Sequence, residues 1–253
     1  MAVAHYLEAL EWQRDVIRIH SVLGGKNPHL QTYLVGGMAA AVDPNSPNVV
    51  NPERIAFMRE RIRTLRDFVE QVCIPDMKAV ATFYPEWAAI GAGHKNYLSY
   101  GSFQTGTRLD TSKFAIPQGI IMGDLSKVLP VDQSKIAEAI AHSYHTYDGG
   151  DTPLNPFDGQ TNPKYTGPTS SGFAQPYQNL NLGPNDKCSW LKSPRYDGQP
   201  MEVGPLARML VAYASGNAEV KALVDSTLTA LKLGATALFS TPGRVAARWP
   251  RYT

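Results

Sequence analysis

The segment that most constrains the fold is a helix that the sequence predicts over residues 51–72. Asn51 is a favourable N-cap, Pro52 suits the first helical position, and Glu53 lies at the positive end of the helix dipole. Apolar side chains then recur every three or four residues, at Ile55, Met58, Ile62, Leu65, Val69 and Val72. This single stripe of about five turns indicates an amphipathic helix with one face against a core, and Pro75 is expected to end or kink it.

The charged residues of the chain argue against nucleic acid as a partner. On the helix just described, acidic residues lie between the arginines, a mixture typical of a surface in water. The whole chain has 24 Lys and Arg against 22 Asp and Glu, a net charge of +2, so no large basic field attracts polyanions or anionic membranes. No apolar run reaches the roughly 18 residues that a membrane-spanning helix needs. The first residues also lack the basic and apolar regions of a signal peptide.

The remaining elements predict a mainly α chain with small β-hairpin elements, which is an α+β fold class. Helices are expected over residues 2–23, 132–147, 205–213 and 217–233, with a further one beginning near Gly243. Gly24 and Gly25 stop the first of them, because glycine leaves helical geometry freely, and Asp132 is expected to cap the second. Residues 94–131 alternate short β-like runs with turns and suggest hairpins. Residues 148–186 are rich in Pro, Gly, Asn and Thr, so the middle of the chain is predicted to be loop-rich.

The two cysteines, Cys73 and Cys188, do not form a metal-binding pattern. The chain has no CxxC motif, which excludes a cysteine-based zinc, iron–sulfur or redox motif. Cys73 lies near the end of the predicted helix, where a small buried thiol is the favoured interpretation. A disulfide between the two cysteines is the alternative, which the missing secretion signal disfavours.

The histidine and glycine patterns suggest structural roles rather than catalysis. His142 and His145 share a face of their predicted helix, but no further metal ligand lies at a useful spacing, so hydrogen-bonded structural histidines are favoured over a metal site. The stretch "GGKNPHLQTYLVGG", residues 24–37, lacks the spacing of a phosphate-binding loop. It is interpreted instead as a rigid loop that another chain approaches closely, with Lys26 and His29 as polar contacts.

The densest group of chemically active residues lies in "KCSWLKSPRYDGQPMEVGPLARML", residues 187–210. Trp190 is expected to be packed, and Lys192, Arg195 and Glu202 are the notable charges. Glu202 lies just before a helix start, where the helix dipole favours a carboxylate, and this is a sufficient structural reason for it. A role in a proton relay, or as a group that surrounds metal ligands, is the alternative. On its residues alone, the chain is predicted to have no catalytic residue and no metal ligand set of its own.

Several segments, taken in order, resemble the middle part of the large subunit of nickel–iron hydrogenases. They are "AVAHYLEALEWQRD", "GGKNPHLQTYLVGG", "FVEQVCIPDMKAVATFYPEW", "IAHSYHTY", "KCSWLKSPRYDGQPMEVGPLARM" and "LFSTPGR". The resemblance runs from Ala2 to about Arg244, and residues 242–253 are expected to be a divergent tail. It implies that residues 1–253 form a single partial domain, part of the helical core of a larger subunit. The chain is therefore expected to be a central fragment, from a truncated or frameshifted reading frame or an incomplete gene.

The family resembled here binds a nickel ion bridged to an iron that carries cyanide and carbon monoxide. Four cysteines hold this centre, in one CxxC motif near each end of the family's sequence. The reaction is the reversible oxidation of dihydrogen to protons and electrons, and the electrons leave through iron–sulfur clusters of a small subunit. This chain contains neither CxxC motif. The resemblance thus implies part of a hydrogenase large subunit that is inactive alone and holds no cofactor by itself.

What the resemblance carries to this chain is therefore scaffold. The loop with Lys26 and His29 is expected to lie against the iron–sulfur small subunit, near its proximal cluster. Lys192, Arg195 and Glu202 are expected behind the active site, as groups that surround the metal ligands or lie on a proton path. Relatives face the periplasm on a membrane or lie in the cytoplasm, and the resemblance does not choose between them. Two alternatives stay open: a non-catalytic scaffold that binds the small subunit, and a gene remnant without function.

Overall fold

The computed structural model describes residues 2–35, 37–47, 49–105, 110–167, 183 and 186–248. The chain divides into two compact units, one formed by residues 1–90 with 225–253 and the other by residues 91–224. Helices and two-stranded antiparallel sheets make up these units, so the predicted α+β fold class is confirmed. No helix in the described ranges is both long and apolar enough to cross a membrane. The single partial domain over residues 1–253, with a divergent tail from residue 242, stays a prediction.

The first unit begins with two helices in place of the one predicted over residues 2–23. Helix α1 spans Ala2–Val16 and helix α2 spans Arg18–Gly24. Gly25 follows with a φ of 76°, in the left-handed region that glycine adopts easily, and its N–H donates to the carbonyl of Ser21. The two glycines therefore stop the helix as predicted. A short antiparallel hairpin comes next, formed by β1 (Tyr33–Leu34) and β2 (Gly37–Met38).

The long helix of this unit runs further than its sequence pattern predicts. It consists of α3 (Pro52–Phe68), a π-helical segment (Val69–Cys73) and α4 (Ile74–Phe83). Asn51 caps it as predicted, since its Oδ1 accepts a hydrogen bond of 2.8 Å from the N–H of Arg54. Pro75 does not end the helix. A proline ring clashes with the carbonyl four residues earlier, here Gln71, and the wider π turn around Gln71 relieves that clash.

Helix α1 packs on the long helix through specific side-chain contacts. The rings of Trp12 and Phe68 stack with their centroids 5.1 Å apart, and Phe68 is buried. His5 Nδ1 lies 2.7 Å from Asp76 Oδ2, which joins α1 to α4. These contacts hold the two helices side by side and leave an apolar cavity along them.

The second unit is built on a long antiparallel hairpin covered by a helix. Strand β3 spans Asn96–Gln104, strand β4 spans Phe114–Met122 and helix α5 spans Pro205–Ala214. The hairpin and α5 confirm the elements predicted within residues 94–131 and over 205–213. Gly119 permits the close approach of the helix, because a Cβ there would lie 2.9 Å from Cγ1 of Val211. Buried apolar side chains of the hairpin and helix form the core: Tyr97, Leu98, Ile116, Ile120, Ile121, Leu206, Leu210 and Val211.

The prediction of a helix over residues 132–147 is wrong. Asp132 Oδ1 does accept a hydrogen bond of 3.0 Å from the N–H of Ser134, but only one 3-10 turn follows. Strand β5 (Ile136–Ala139) then pairs with β8 (Ser193–Tyr196), and β6 (His145–Tyr147) pairs with β7 (Thr161–Pro163). The partner strands lie far along the chain, and helical periodicity does not reveal them. The loops predicted over residues 148–186 fall partly outside the described residues, and their described part contains β7.

Two further helices follow α5. Helix α6 spans Ala218–Leu231, close to the predicted 217–233, and helix α7 spans Thr241–Ala246, slightly before its predicted start near Gly243. Ser240 caps α7, since its Oγ accepts a hydrogen bond of 3.4 Å from the N–H of Gly243. Both helices confirm their sequence predictions.

Candidate functional site

The loop predicted to face another chain is closed at its base by two hydrogen bonds. The N–H of Gln31 donates to the carbonyl of Gly24 at 2.9 Å. Thr32 Oγ1 donates to the carbonyl of Leu23 at 2.7 Å. Because these bonds bracket residues 25–30, both ends of the loop are fixed to the end of helix α2.

Gly24 holds this loop in shape because Leu30 packs directly onto it. A Cβ on Gly24 would overlap the side chain of Leu30, so any other residue there would force Leu30 to move. Lys26 and His29 lie beyond this contact and are exposed, and His29 has a positive φ of 58°. The structure therefore brings the two predicted interface residues onto one short, anchored loop. Their predicted contact with a small subunit stays a prediction.

Lys192 is paired with a carboxylate that the sequence analysis missed. Its Nζ lies 2.9 Å from Oε2 of Glu138, and the two side chains are 29% and 23% exposed. Glu138 is in strand β5, and Tyr147 Oη donates a hydrogen bond of 2.8 Å to its main-chain carbonyl. The sequence signal for Glu138 is a single acid within the otherwise apolar run Ile136–Ile140. Such an acid requires a cation when a strand pairing half-buries it.

Arg195 and Glu202 lie on different parts of the second unit. Arg195 is opposite Ala137 in the β5–β8 pair, and its Nη1 donates to the carbonyl of Pro194 at 2.9 Å. Glu202 is held through its main chain along β3: its carbonyl accepts from the N–H of Leu98 at 3.0 Å, and its N–H donates to the carbonyl of Asn96 at 2.8 Å. Sequence reasoning explained Glu202 by the start of α5, whereas the structure adds this strand-like pairing.

His142 and His145 do not share a helix face, because the predicted helix is absent there. His142 Nδ1 lies 2.9 Å from the carbonyl oxygen of Asp186, and His145 Nδ1 lies 2.6 Å from Oγ of Ser143. Each histidine has its own hydrogen-bond partner, as the structural interpretation predicted.

An aromatic cluster adjoins His145 in the second unit. Tyr144 meets Trp190 edge to face with centroids 5.2 Å apart, and Tyr165 stacks on Trp190 at 5.9 Å. Burial, followed by the neighbouring Tyr165 and Cys188, raises the pKa of Tyr144. Trp190 is packed against these rings as predicted but remains 51% exposed. The cluster is therefore a partly open aromatic surface with a neutral phenol at its base.

Both cysteines are free thiols, so the alternative of a disulfide is not realised in the structure. Cys73 is half-buried rather than buried. Burial, with the carboxylates of Asp76 and Glu8, raises the pKa of its thiol, so the reactive thiolate is disfavoured. The N–H of Cys188 donates to the carbonyl of His142 at 3.0 Å.

The described part of the chain does not fit a nickel–iron centre. Within it, no three His, Cys, Asp or Glu side chains are grouped so that they could hold a metal ion. Cys73 lies on the π-helical segment and Cys188 precedes β8, and neither belongs to a CxxC motif. Several converging donors are needed to hold a transition metal, and these residues do not supply them.

Comparison of the sequence with known proteins gives matches over almost the whole chain. The family model described as nickel-dependent hydrogenase matches residues 1–252. The uptake hydrogenase large subunit of Rhizobium leguminosarum bv. viciae is 41% identical over 258 residues, which cover 98% of this chain and 43% of that protein. The Hydrogenase-1 large chain of Escherichia coli K12 is 39% identical, with the same shares covered. The chain thus spans less than half the length of these curated relatives.

Comparison of the fold gives the same result. The Ni-Fe-Se hydrogenase from D. vulgaris Hildenborough, in its as-isolated oxidized state, superposes with a TM-score of 0.71 and 30% sequence identity. The superposition covers 98% of this chain and 46% of that one. Fold and sequence agree over nearly the same extent, and this chain belongs to the nickel-dependent hydrogenase family.

Proposed function

We propose that this chain is a scaffold part of a nickel-dependent hydrogenase large subunit and takes part in the reversible oxidation of dihydrogen only together with further polypeptide. The observation that carries the proposal is the family match over residues 1–252 in a chain that spans 43% of its relatives. The sequence contains no CxxC motif, so the cysteines that hold nickel and iron come from elsewhere. The chain alone is therefore inactive.

The loop with Lys26 and His29 is the part that meets an iron–sulfur small subunit. Support comes from its anchoring by Gly24 and Leu30 together with the exposure of both basic side chains. An anchored loop loses little conformational entropy when it binds, which favours a protein contact. Basic groups also orient an approaching acidic surface through long-range attraction.

Lys192, Arg195 and Glu202 support the region behind the metal centre in the complete subunit. The pairing of Lys192 with Glu138 favours this role, because a half-buried ion pair holds both charges in fixed positions. Fixed charges of this kind tune the electrostatics and proton affinity of neighbouring groups. Glu202, half-buried along β3, is the carboxylate suited to carry a proton.

The inactivity of the isolated chain is tested by metal analysis of the purified protein. We expect substoichiometric nickel, no infrared bands of metal-bound carbonyl or cyanide, and no hydrogen-dependent reduction of a viologen dye. Stoichiometric nickel together with those bands would overturn the proposal, because it would show a complete metal site within this chain.

The interface is tested by co-expression with the iron–sulfur small subunit that pairs with a related large subunit. Lys26→Glu together with His29→Asp reverses the charge of the loop, and we expect at least a tenfold loss of co-purified small subunit. Lys127→Glu, a charge reversal at an exposed lysine of the second unit, serves as the control and leaves capture unchanged. Equal capture by the loop variant would exclude the loop as the contact. Capture of the small subunit by the wild-type chain would favour a scaffold over a gene remnant without function.

A further inference from the structure

An apolar cavity of about 360 Å³ opens in the first unit. Helix α1 contributes His5 and Ala9 to its wall, the long helix contributes Cys73 and Ala81, and α7 contributes Val245. Its volume is about twice the roughly 150 Å³ of an apolar cavity that binds one benzene molecule. The cavity therefore has room for two side chains of the size of leucine or phenylalanine.

The rim of this cavity is apolar and open to water. Tyr6, Val80 and Trp87 line it and are 62%, 41% and 39% exposed. Removing apolar surface from water is favourable by roughly 25 cal/mol per Å². A contiguous apolar rim around an apolar cavity is therefore the mark of a surface that another apolar group covers.

The polar groups in the wall favour an apolar occupant. His5 and Asp76 are directed at each other, with 2.7 Å between Nδ1 and Oδ2. Because these two atoms bond each other, neither of them is available to orient a polar ligand. Shape and apolar contact are what remain to select the occupant.

We propose that this cavity receives apolar side chains of the polypeptide that completes a hydrogenase large subunit. This assignment rests on the proposed function and on the length of the relatives. The chain covers 43% of the curated relatives and 46% of the solved structure, so 54% or more of each lies outside the matched segment. The matched segment keeps the fold of that structure, with a TM-score of 0.71. A large body of further polypeptide thus accompanies this fold in relatives, and the open cavity is a site where it docks.

The test is capture of complementary polypeptide by the full chain. The chain carries an affinity tag and is co-expressed with the two pieces of the Hydrogenase-1 large chain that flank its matched segment. We expect the wild-type chain to capture them. Ala9→Trp fills the cavity from α1 and is expected to reduce capture at least tenfold. Val80→Glu places a charge on the exposed rim and is expected to reduce capture by a similar factor. The substituted residue is not buried.

The matched control is Ala4→Trp, the same substitution on the same helix. Position 4 is about 140° around the helix from position 9, and Ala4 does not belong to the cavity wall. Capture by this variant is expected to stay within twofold of wild type. Circular dichroism and the thermal transition of each variant show whether the chain still folds.

Three results would overturn the proposal. They are a wild-type chain that captures neither piece, equal capture by wild type and both cavity variants, and a homodimer of the chain alone that Ala9→Trp dissociates. The last result would assign the cavity to a second copy.

Small-subunit capture is scored separately with the Lys26 and His29 variant. Docking of the flanking pieces without any small-subunit capture would therefore count against the proposed interface and leave the cavity assignment standing.

Discussion

The two units of this protein differ in how completely each buries its apolar side chains. In the second unit, the β3–β4 hairpin and α5 enclose side chains such as Ile120 and Val211, both fully buried. Among the described residues, the first unit holds most of the exposed large apolar side chains: Val3, Tyr6, Leu7, Leu10, Ile62, Val80, Phe83 and Tyr84 are examples. The second unit thus completes a core with its own residues, whereas the first has helices whose apolar faces stay open.

This difference indicates which unit would gain more stability from contact with other polypeptide. A closed core gains its stability from contacts within the chain, so the second unit has an internal source of stability. Open apolar faces gain theirs only when a partner covers them. The first unit, which carries the Lys26 and His29 loop and the apolar cavity, is the part expected to change most on assembly.

The largest effect is expected for Ile120→Ala in the second unit. Ile120 is fully buried, so this truncation is expected to lower the free energy of unfolding by about 2–5 kcal/mol. Ile62→Ala in the first unit is the matched truncation. Ile62 is 49% exposed, and alanine favours the helix, so the expected change is within about 1 kcal/mol. Urea unfolding followed by circular dichroism measures both free energies of unfolding. Equal losses would contradict the difference in burial between the two units.

An intermediate effect is expected for the ion pair of Glu138 and Lys192. Lys192→Met leaves a half-buried carboxylate without its cation, and we expect a loss of about 1–3 kcal/mol in unfolding free energy. Adding Glu138→Gln is expected to recover part of that loss in a double-mutant cycle. Lys135→Met is the control, because its pair with Asp197 is more exposed, and the free energy of unfolding is expected to stay almost unchanged. Purely additive losses for Glu138 and Lys192 would show that the pair contributes nothing.

The smallest effect concerns the thiol of Cys73 in the open cavity. Because burial and nearby carboxylates raise its pKa, the thiolate fraction at pH 7.5 is below that of a free cysteine. In a Cys188→Ser background, we expect Cys73 to react with a disulfide reagent several-fold more slowly than free cysteine. The rate should rise as the pH rises toward the raised pKa, and urea should abolish the difference. A native rate at pH 7.5 equal to that of free cysteine would contradict both the shift and the half-burial.

Sequence reasoning succeeded where the signal is local. The cap at Asn51, the stop at Gly24–Gly25 and the start of α5 at Pro205 each depend on a few neighbouring residues, and the structure has all three. It failed over residues 132–147, where the outcome depends on pairing between β5 and β8. Spacing of apolar residues within one stretch carries no information about a distant strand.

The same distinction applies to the candidate site. The ordered segments that resemble hydrogenases identified the family, which the comparisons confirm. Lys192 was selected from its own segment, but its partner Glu138 lies in a strand that the sequence predicted to be helical. An ion pair across two strands becomes visible only when their register is known.

The π-helical segment sets the rotational phase of α4 against α3. A π turn accommodates one residue more than an α turn, so deleting a single residue from Val69–Cys73 would leave a continuous α-helix. Everything after the deletion would then turn by about 100° around the axis. Asp76 would rotate away from His5, and Ala81 would leave the cavity wall. One extra residue in this helix therefore determines which side chains of α4 face α1.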